Sequence, residues 1–129
     1  IDKKLLLSCH DISDGGFITA ISEMILGGEA DGKIGAEIDI TNVNNSFRAD
    51  KLLFSESSGF VFEINKRNIN KIKKILKKYQ LKENKDYFVV GKTINQDKLI
   101  INNENKKIIN LKIDELKKAW TTGFVEAMR

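Results

Sequence analysis

The chain has 129 residues, 41% hydrophobic and 31% charged, which are the proportions of a globular domain with a core rather than of a disordered chain. It contains no apolar run of the ~20 residues that a transmembrane helix needs, and a single cysteine, Cys9, excludes an internal disulfide. We expect one domain over residues 1–129, in the reducing cytoplasm and without a membrane partner. Because the first residue is Ile1 rather than Met, we also expect a piece of a longer chain.

The formal net charge of +4 is unevenly distributed. Residues 66–85 carry nine Lys and Arg against one acid, whereas the other residues carry 13 against 17 and are net −4. Within that basic segment, apolar residues recur at helical spacing, and the one aromatic residue, Tyr79, belongs to that apolar pattern rather than to a series of stacking partners for bases. We interpret the segment as the solvated face of an amphipathic helix, and we expect no nucleic-acid partner.

Hydrophobic periodicity predicts the elements of the first part of the chain. The N-terminal half is predicted to contain, in order, a buried strand (Lys4–Cys9), a polar loop (His10–Gly16, HDISDGG), an amphipathic helix (Phe17–Gly28), a half-buried strand (Ile34–Ile40), one or two helical turns (Phe47–Phe54), and a second polar loop (Phe54–Gly59, FSESSG).

The second part of the chain is predicted to contain a strand (Phe60–Ile64), the lysine-rich helix (Asn68–Gln80), a strand (Asp86–Ile94), a hairpin around NNEN (Lys98–Ile101 and Lys107–Leu111), and a last helix capped by Asp114 with Leu116, Trp120, Phe124 and Ala127 on one face. This order of elements predicts an α+β fold, in which helices pack on a mixed or mostly antiparallel sheet.

The loop HDISDGG is the first candidate site. Gly15 and Gly16 allow backbone N–H groups to approach a ligand closely, and the N-terminus of the following helix favours anions. Asp11 and Asp14 can hold a cation or hydrogen-bond a ribose or an amide, and magnesium bridging carboxylate and phosphate would reconcile acids with an anion site. From spacing alone, a helix start capped by Ser13 or Asp14, with glycines for a tight turn, is an equally good interpretation.

His10, the first residue of this loop, and Cys9, just before it, are predicted to have structural roles. His10 is the only histidine, so we prefer a structural hydrogen-bonding role over that of a catalytic base. Cys9 follows an apolar run without a base at usable spacing, so we expect a buried, unreactive thiol. The second candidate loop contains Ser55, Glu56 and Ser57, whose hydroxyls and carboxylate suit a polar ligand, although from these residues alone an ordinary turn before a strand is the favoured interpretation.

Taken together, HDISDGGFITAISEM and LLFSESSGFVFEI resemble the C-terminal-type domain of the aminoimidazole ribonucleotide synthetase superfamily. The pairing of HDISDGG with LFSES is similar to one branch of it, the phosphoribosylformylglycinamidine synthase family. The segment IINLKIDELKKAW resembles the end of the last of the two C-type domains in that family. The resemblance implies an α/β layered domain that is partly ferredoxin-like. Many relatives have an arginine where Phe60 stands, so a phosphate or carboxylate contact is not implied there.

The resemblance also implies an activity for the whole enzyme. The family converts formylglycinamide ribonucleotide, ATP and glutamine-derived ammonia into formylglycinamidine ribonucleotide, ADP and phosphate, and it uses ATP and magnesium. The implied partners are the other N-type and C-type domains, a glutaminase subunit or domain, and in multi-subunit enzymes a small bridging subunit. The candidate ligand-facing residues are His10, Asp11, Ser13, Asp14, Gly15, Gly16, Ser55, Glu56 and Ser57, none of them assigned as catalytic.

Two alternatives accompany this interpretation. The domain can be a structural or auxiliary nucleotide-binding module of the same assembly, because in some members the second pseudo-active site holds a nucleotide that does not turn over. A small-molecule kinase of the same superfamily ranks last, because kinase-type relatives are expected to lack the LFSES loop. Since the N-type domains supply much of the nucleotide site and the proposed catalytic histidine, we expect the isolated domain to be inactive.

Overall fold

A computed structural model describes residues 5–12, 15–27, 34–43, 53 and 59–119 of the chain. A short 3-10 turn, Lys66–Asn68, precedes the second helix, and residues 113–119 are also helical. The described strands and α-helices are, in chain order, β1 (Leu6–Ile12), α1 (Gly16–Leu26), β2 (Gly35–Asp39), β3 (Gly59–Ile64), α2 (Ile69–Lys78), β4 (Gly91–Ile94), β5 (Lys98–Asn103) and β6 (Lys106–Lys112). The predicted α+β class is confirmed.

Contacts divide the chain into two compact units, and each unit is assembled from two separate stretches of sequence. The first unit comprises Ile1–Met24 and Asn42–Val89, and the second comprises Ile25–Thr41 and Val90–Arg129. The expectation of a single domain over residues 1–129 stays a prediction.

In the first unit, β1 and β3 form a two-stranded antiparallel sheet in which His10 lies opposite Val61 and Asp11 opposite Phe60. Exposure alternates along β1, as the two-residue period of a strand requires, so that His10 is half-buried while Cys9 and Asp11 are exposed. The predicted burial of Cys9 is therefore wrong. The predicted end of the strand at Cys9 is wrong as well, because pairing with β3 continues as far as Ile12 opposite Gly59.

Helices α1 and α2 follow their apolar patterns. In α1 the buried residues are Gly16, Ala20, Ile21 and Ser22, and of these Gly16 and Ala20 lie one helical turn apart on the same side. In α2, Ile72 is buried while the intervening lysines are exposed, apart from the partly buried Lys73, whose Nζ lies 3.0 Å from Glu83 Oε1. The lysine-rich segment is therefore an amphipathic helix with a solvated basic face, as predicted.

In the second unit, the strands lie in the order β4-β2-β5-β6, with β2 parallel to β5 and the other pairs antiparallel. This arrangement confirms a mixed sheet. Leu99 and Ile101 on β5 are fully buried, and the apolar residues of β2 are buried beside them. The strands also approach closely at two glycines: an added Cβ would lie 1.9 Å from the Lys98 carbonyl oxygen at Gly35 and 2.1 Å from the Glu37 carbonyl oxygen at Gly91.

Two predicted boundaries differ from the structure, and the hairpin between them is confirmed. The strand predicted over Asp86–Ile94 is confined to Gly91–Ile94, because residues 82–86 form a tight loop closed by a hydrogen bond from Lys82 N–H to Asp86 Oδ2 of 2.8 Å. The NNEN hairpin is confirmed, and its turn residues Glu104 and Asn105 both have positive φ, as a two-residue hairpin turn requires. The helical residues begin at 113, so Asp114 lies inside the first turn rather than at the cap.

Parts of other predictions fall outside the described residues. Of the turns predicted over Phe47–Phe54, Leu53 is described; it is helical and buried. The predicted apolar positions Trp120, Phe124 and Ala127 of the last helix are outside the described residues. No helix within the described ranges is long and apolar enough to cross a membrane.

Candidate functional site

The junction between β1 and α1 is built on two glycines in the left-handed region. Gly15 has φ +85° and Gly16 has φ +77°, conformations that glycine adopts without the cost borne by other residues. An added Cβ at Gly15 would also lie 2.2 Å from Thr19 Oγ1, and this hydroxyl donates a 3.0 Å hydrogen bond to the Gly15 carbonyl. The tight turn predicted from the glycine pair is present. The predicted capping residues Ser13 and Asp14 are outside the described residues.

His10 is held from both sides of its ring. Nε2 lies 2.5 Å from Glu23 Oε2 on α1, and Nδ1 lies 2.6 Å from the backbone carbonyl oxygen of Asp11. The His10 side chain is 27% exposed and the Glu23 side chain 33% exposed, so the pair is partly shielded from water. Both ring nitrogens therefore face acceptors.

These contacts favour the charged form of the ring. The hydrogen bond to the Asp11 carbonyl raises the pKa of His10 above its ordinary value of 6.5; partial burial opposes this rise, and Glu23 adds to it. A neutral imidazole has one N–H donor, so both acceptors are satisfied only by the imidazolium. Since neither ring nitrogen is left to accept a proton from a substrate, the geometry supports a structural hydrogen-bonding role for His10 rather than that of a base.

The opposite face of β1 is open to solvent. The Asp11 side chain is 63% exposed, and Phe60, its partner across the strand pair, is 71% exposed. Directly paired residues of antiparallel strands lie on the same face, so a carboxylate and an aromatic ring stand side by side there. The structure thus places His10 on the half-buried face of β1 and Asp11 on the exposed face, although the two residues are adjacent in sequence.

Glu23 is a site residue that the sequence analysis missed. It lies in α1 seven residues after Gly16 and three after Ala20, which puts a carboxylate on the buried side of the helix. An acid at this spacing within an otherwise apolar side is a signal that it has a polar partner inside the protein. That signal is readable from the sequence once the only histidine is considered as the partner.

The structure does not describe the second candidate loop, and it bears on the predicted cation site only through the described residues. Ser55, Glu56 and Ser57 are outside the described residues, so their predicted role stays a prediction. Among residues 5–12, 15–27, 34–43, 53 and 59–119, no three His, Cys, Asp or Glu side chains lie close enough together to hold a metal ion. The described part of the chain therefore does not fit a magnesium site by itself.

The sequence matches a family model described as AIR synthase related protein, C-terminal domain, over residues 1–102. The chain belongs to this family. The superfamily predicted from HDISDGG and LFSES is thereby confirmed, and both motifs lie inside the matched range.

Similar proteins agree on one branch of the AIR-synthase-related family. The chain is 33% identical over 129 residues to phosphoribosylformylglycinamidine synthase subunit PurL of Methanothrix thermoacetophila, covering 100% of this chain and 16% of that protein. It is 36% identical over 131 residues to subunit PurL of Pelagibacter ubique, covering 98% of this chain and 16% of that protein. It is 33% identical over 136 residues to phosphoribosylformylglycinamidine synthase of Dictyostelium discoideum, covering 93% of this chain and 9% of that protein. The chain thus spans 16% or less of the length of these relatives.

Solved structures of PurL from Thermotoga maritima share the fold. The ATP complex superimposes with a TM-score of 0.70 at 20% identity and covers 87% of this chain and 19% of that chain. The complex with FGAR gives a TM-score of 0.67 at 22% identity and covers 87% and 18%, and the structure of PurLQS gives 0.67 at the same identity and coverage. These matches confirm the predicted fold of an AIR-synthase-related C-terminal domain.

Proposed function

We propose that this chain is the C-type domain, from the second of two copies, of an ATP-dependent C–N ligase that converts formylglycinamide ribonucleotide into formylglycinamidine ribonucleotide in purine biosynthesis. The observation that carries the proposal is the alignment with PurL over all 129 residues at 33% identity. In the proposed reaction, the γ-phosphoryl group of ATP is transferred to the formamide oxygen, and ammonia then displaces phosphate at that carbon. The products are the amidine, ADP and phosphate.

The chain's own contribution is binding rather than proton transfer. The left-handed turn at Gly15 and Gly16 carries no side chains, so a phosphate can approach its backbone closely, and the adjoining start of α1 adds a favourable field for an anion. The exposed carboxylate of Asp11 can accept hydrogen bonds from a ribose or an amide. We infer that Ser13, Asp14 and the Ser55–Ser57 loop complete this ligand-facing surface.

The chemistry requires groups outside the described residues. Magnesium would neutralise the phosphates during phosphoryl transfer, and because the described residues do not form its site, we propose that its ligands include residues outside the described ranges, in this chain or in the other domains of the synthetase. We propose that the other N-type and C-type domains complete the active site, that a glutaminase subunit or domain supplies ammonia, and that a small bridging subunit takes part in multi-subunit enzymes. A cytoplasmic location belongs to the same proposal.

A second candidate is an auxiliary nucleotide-binding module without a direct role in turnover. The observation that favours it is the engagement of the only histidine with two acceptors, which leaves the described part of the chain without a free imidazole base. In that case the glycine turn holds a nucleotide that stabilises the assembly, and its loss lowers stability rather than the rate of the chemical step.

Substitutions in the complete synthetase distinguish the two candidates. We expect Asp11→Ala and Glu56→Ala to lower kcat/KM for formylglycinamide ribonucleotide about tenfold or more, the effect of losing one hydrogen bond to a charged group. If these residues bind the substrate for turnover, the melting temperature of each variant should equal that of the wild type. If they belong to an auxiliary nucleotide site, the melting temperature should fall. Lys74→Ala, on the exposed face of α2, is the matched control. Wild-type kcat/KM and melting temperature in both variants would contradict both candidates.

A further inference from the structure

The surroundings of His10 are acidic on each element that faces it. On β1 itself, Asp11 Oδ1 lies 3.6 Å from Nδ1, and on α1, Glu23 approaches Nε2. On β3, Glu63 lies on the same face of the sheet and accepts a 3.2 Å hydrogen bond from Ser8 Oγ. A cationic ring is therefore the form that these neighbours stabilise.

The two acceptors that contact His10 flank the glycine turn in the sequence. The Asp11 carbonyl belongs to the end of β1, and Glu23 lies in the second half of α1, so the two acceptors stand on either side of Gly15 and Gly16 in the sequence. The glycines themselves impose little restraint on the backbone, because positive φ costs them nothing and they have no side chain to pack. The Thr19 hydroxyl already restrains the turn through its hydrogen bond to the Gly15 carbonyl, and a bridge from strand to helix adds a second restraint across the turn.

We propose that His10 is a positioning residue, which as an imidazolium ties the Asp11 carbonyl to Glu23 and thereby fixes the Gly15–Gly16 turn for ligand binding. The ligand part of this inference rests on the proposed function. The bridge itself is a property of the chain, so it can be tested whether or not the synthetase activity is found.

The bridge depends on the second ring proton of His10, because the Asp11 carbonyl oxygen and the Glu23 carboxylate are acceptors and supply no proton. Removing it leaves one ring nitrogen with a lone pair facing an oxygen at 2.5 or 2.6 Å, which is repulsive, so one of the two contacts must open. The folded-state pKa of His10 is raised, so the bridge is complete below the unfolded value of about 6.5 and is lost as pH rises through the folded value.

Nitrogen NMR reads this bridge directly. Because the chain has one histidine, segmental ¹⁵N-histidine labelling of these 129 residues within the complete synthetase reports His10 alone. We expect both ring nitrogens to be protonated at pH 6.5, with a titration midpoint above the ordinary value. Glu23→Gln should lower the midpoint, whereas the matched control Glu63→Gln, whose carboxylate bonds Ser8 instead, should change it less. An ordinary midpoint that is identical in all three proteins would overturn the proposal.

Ligand binding tests the positioning step. ATP affinity of the complete synthetase, measured by titration calorimetry, should fall as pH rises through the His10 midpoint. It should be about tenfold weaker and independent of that titration in His10→Gln, since one charge-assisted hydrogen bond is lost. Equal ATP affinity in wild type and His10→Gln at every pH would show that the bridge does not position the turn. A synthetase without amidine-forming activity would instead overturn the proposed function and leave the NMR result standing.

Discussion

The sheet of the second unit and the junction of β1 with α1 in the first unit are stabilised by different interactions. In the second unit, β2 and β5 bury apolar side chains almost completely, and Leu99 and Ile101 have no exposed surface. In the first unit, β1 pairs with β3 alone, none of its side chains is fully buried, and its contact with α1 includes the ion pair of His10 and Glu23. The second unit thus relies on burial, and the junction of β1 with α1 relies on hydrogen bonds and an ion pair.

The two kinds of interaction differ in how much free energy they contribute and in whether that contribution depends on pH. Apolar burial contributes about 25 cal/mol per Å² and does not depend on pH, whereas a partly exposed ion pair contributes about 1 kcal/mol or less and depends on protonation. The candidate ligand-facing residues Asp11, Gly15 and Gly16 all lie in the first unit, at the junction of β1 with α1 that relies on hydrogen bonds and an ion pair. The junction of β1 with α1, which has the weaker, pH-dependent contacts, is therefore the part of the first unit that carries the candidate site.

The largest effect is expected for Leu99→Ala in the second unit. The side chain is fully buried on β5, so truncation removes its transfer free energy and leaves a cavity. We expect the free energy of unfolding to fall by about 3 to 4 kcal/mol, measured by urea denaturation. Ile108→Ala is the matched control, because Ile108 lies on β6 of the same sheet and is 39% exposed. Equal losses for the two variants would contradict the view that burial on β5 stabilises this unit.

An intermediate effect is expected for Gly15→Ala in the first unit. The new Cβ must adopt a positive φ and would contact Thr19 Oγ1, so we expect a loss of about 2 kcal/mol, about half of it from the backbone conformation. Thr19→Ala in the same chain removes the closest contact, and the double variant should be more stable than the sum of the single losses predicts. Strict additivity in the double variant would show that the two residues do not clash.

The smallest effect is expected for Thr41→Val at the end of β2. Hydrogen bonds from the Thr41 hydroxyl and from its backbone N–H lower the pKa of Asp39, and the same hydroxyl accepts a 2.9 Å hydrogen bond from the Glu104 N–H. We expect a loss of about 0.5 kcal/mol at pH 7, because these groups are exposed.

The contribution of Asp39 has a defined pH range. Its pKa is lowered in the folded chain, so its stabilisation is present above the unfolded value of about 3.9 and is lost as pH falls through the folded value. The difference between wild type and Thr41→Val should therefore narrow in acid, as measured by denaturation at pH 7 and pH 3. A difference that grows in acid would refute this assignment.

Periodicity predicted the order of strands and helices, because apolar side chains recur every two residues on strands and every three to four on helices. It could not predict how the strands pair. The parallel contact of β2 with β5 joins residues about 60 positions apart, and nothing in either segment encodes the other's register. The strand over Asp86–Ile94 was predicted too long, because the Asp86 carboxylate closes a local loop that competes with the extended conformation.

The candidate site was predictable in part. The glycine turn follows from residue type, since two successive glycines before an apolar helix indicate positive φ. The alternation of His10 and Asp11 between opposite faces was missed, because β1 continues through them only when β3 is present to pair. The partnership of His10 with Glu23 was missed because it requires the packing of α1 against β1, which no local pattern specifies.

The sheet order has a consequence for how the chain folds. β2 ends at Asp39, and its neighbours β4 and β5 begin at Gly91 and Lys98, 52 and 59 residues later. At a synthesis rate of roughly 5 to 20 residues per second, Ala36, Ile38 and Ile40 stay without their strand partners for several seconds, whereas β5 and β6 close as a local hairpin at once. The apolar segment around β2 is thus a part of the nascent chain that needs protection from aggregation during synthesis.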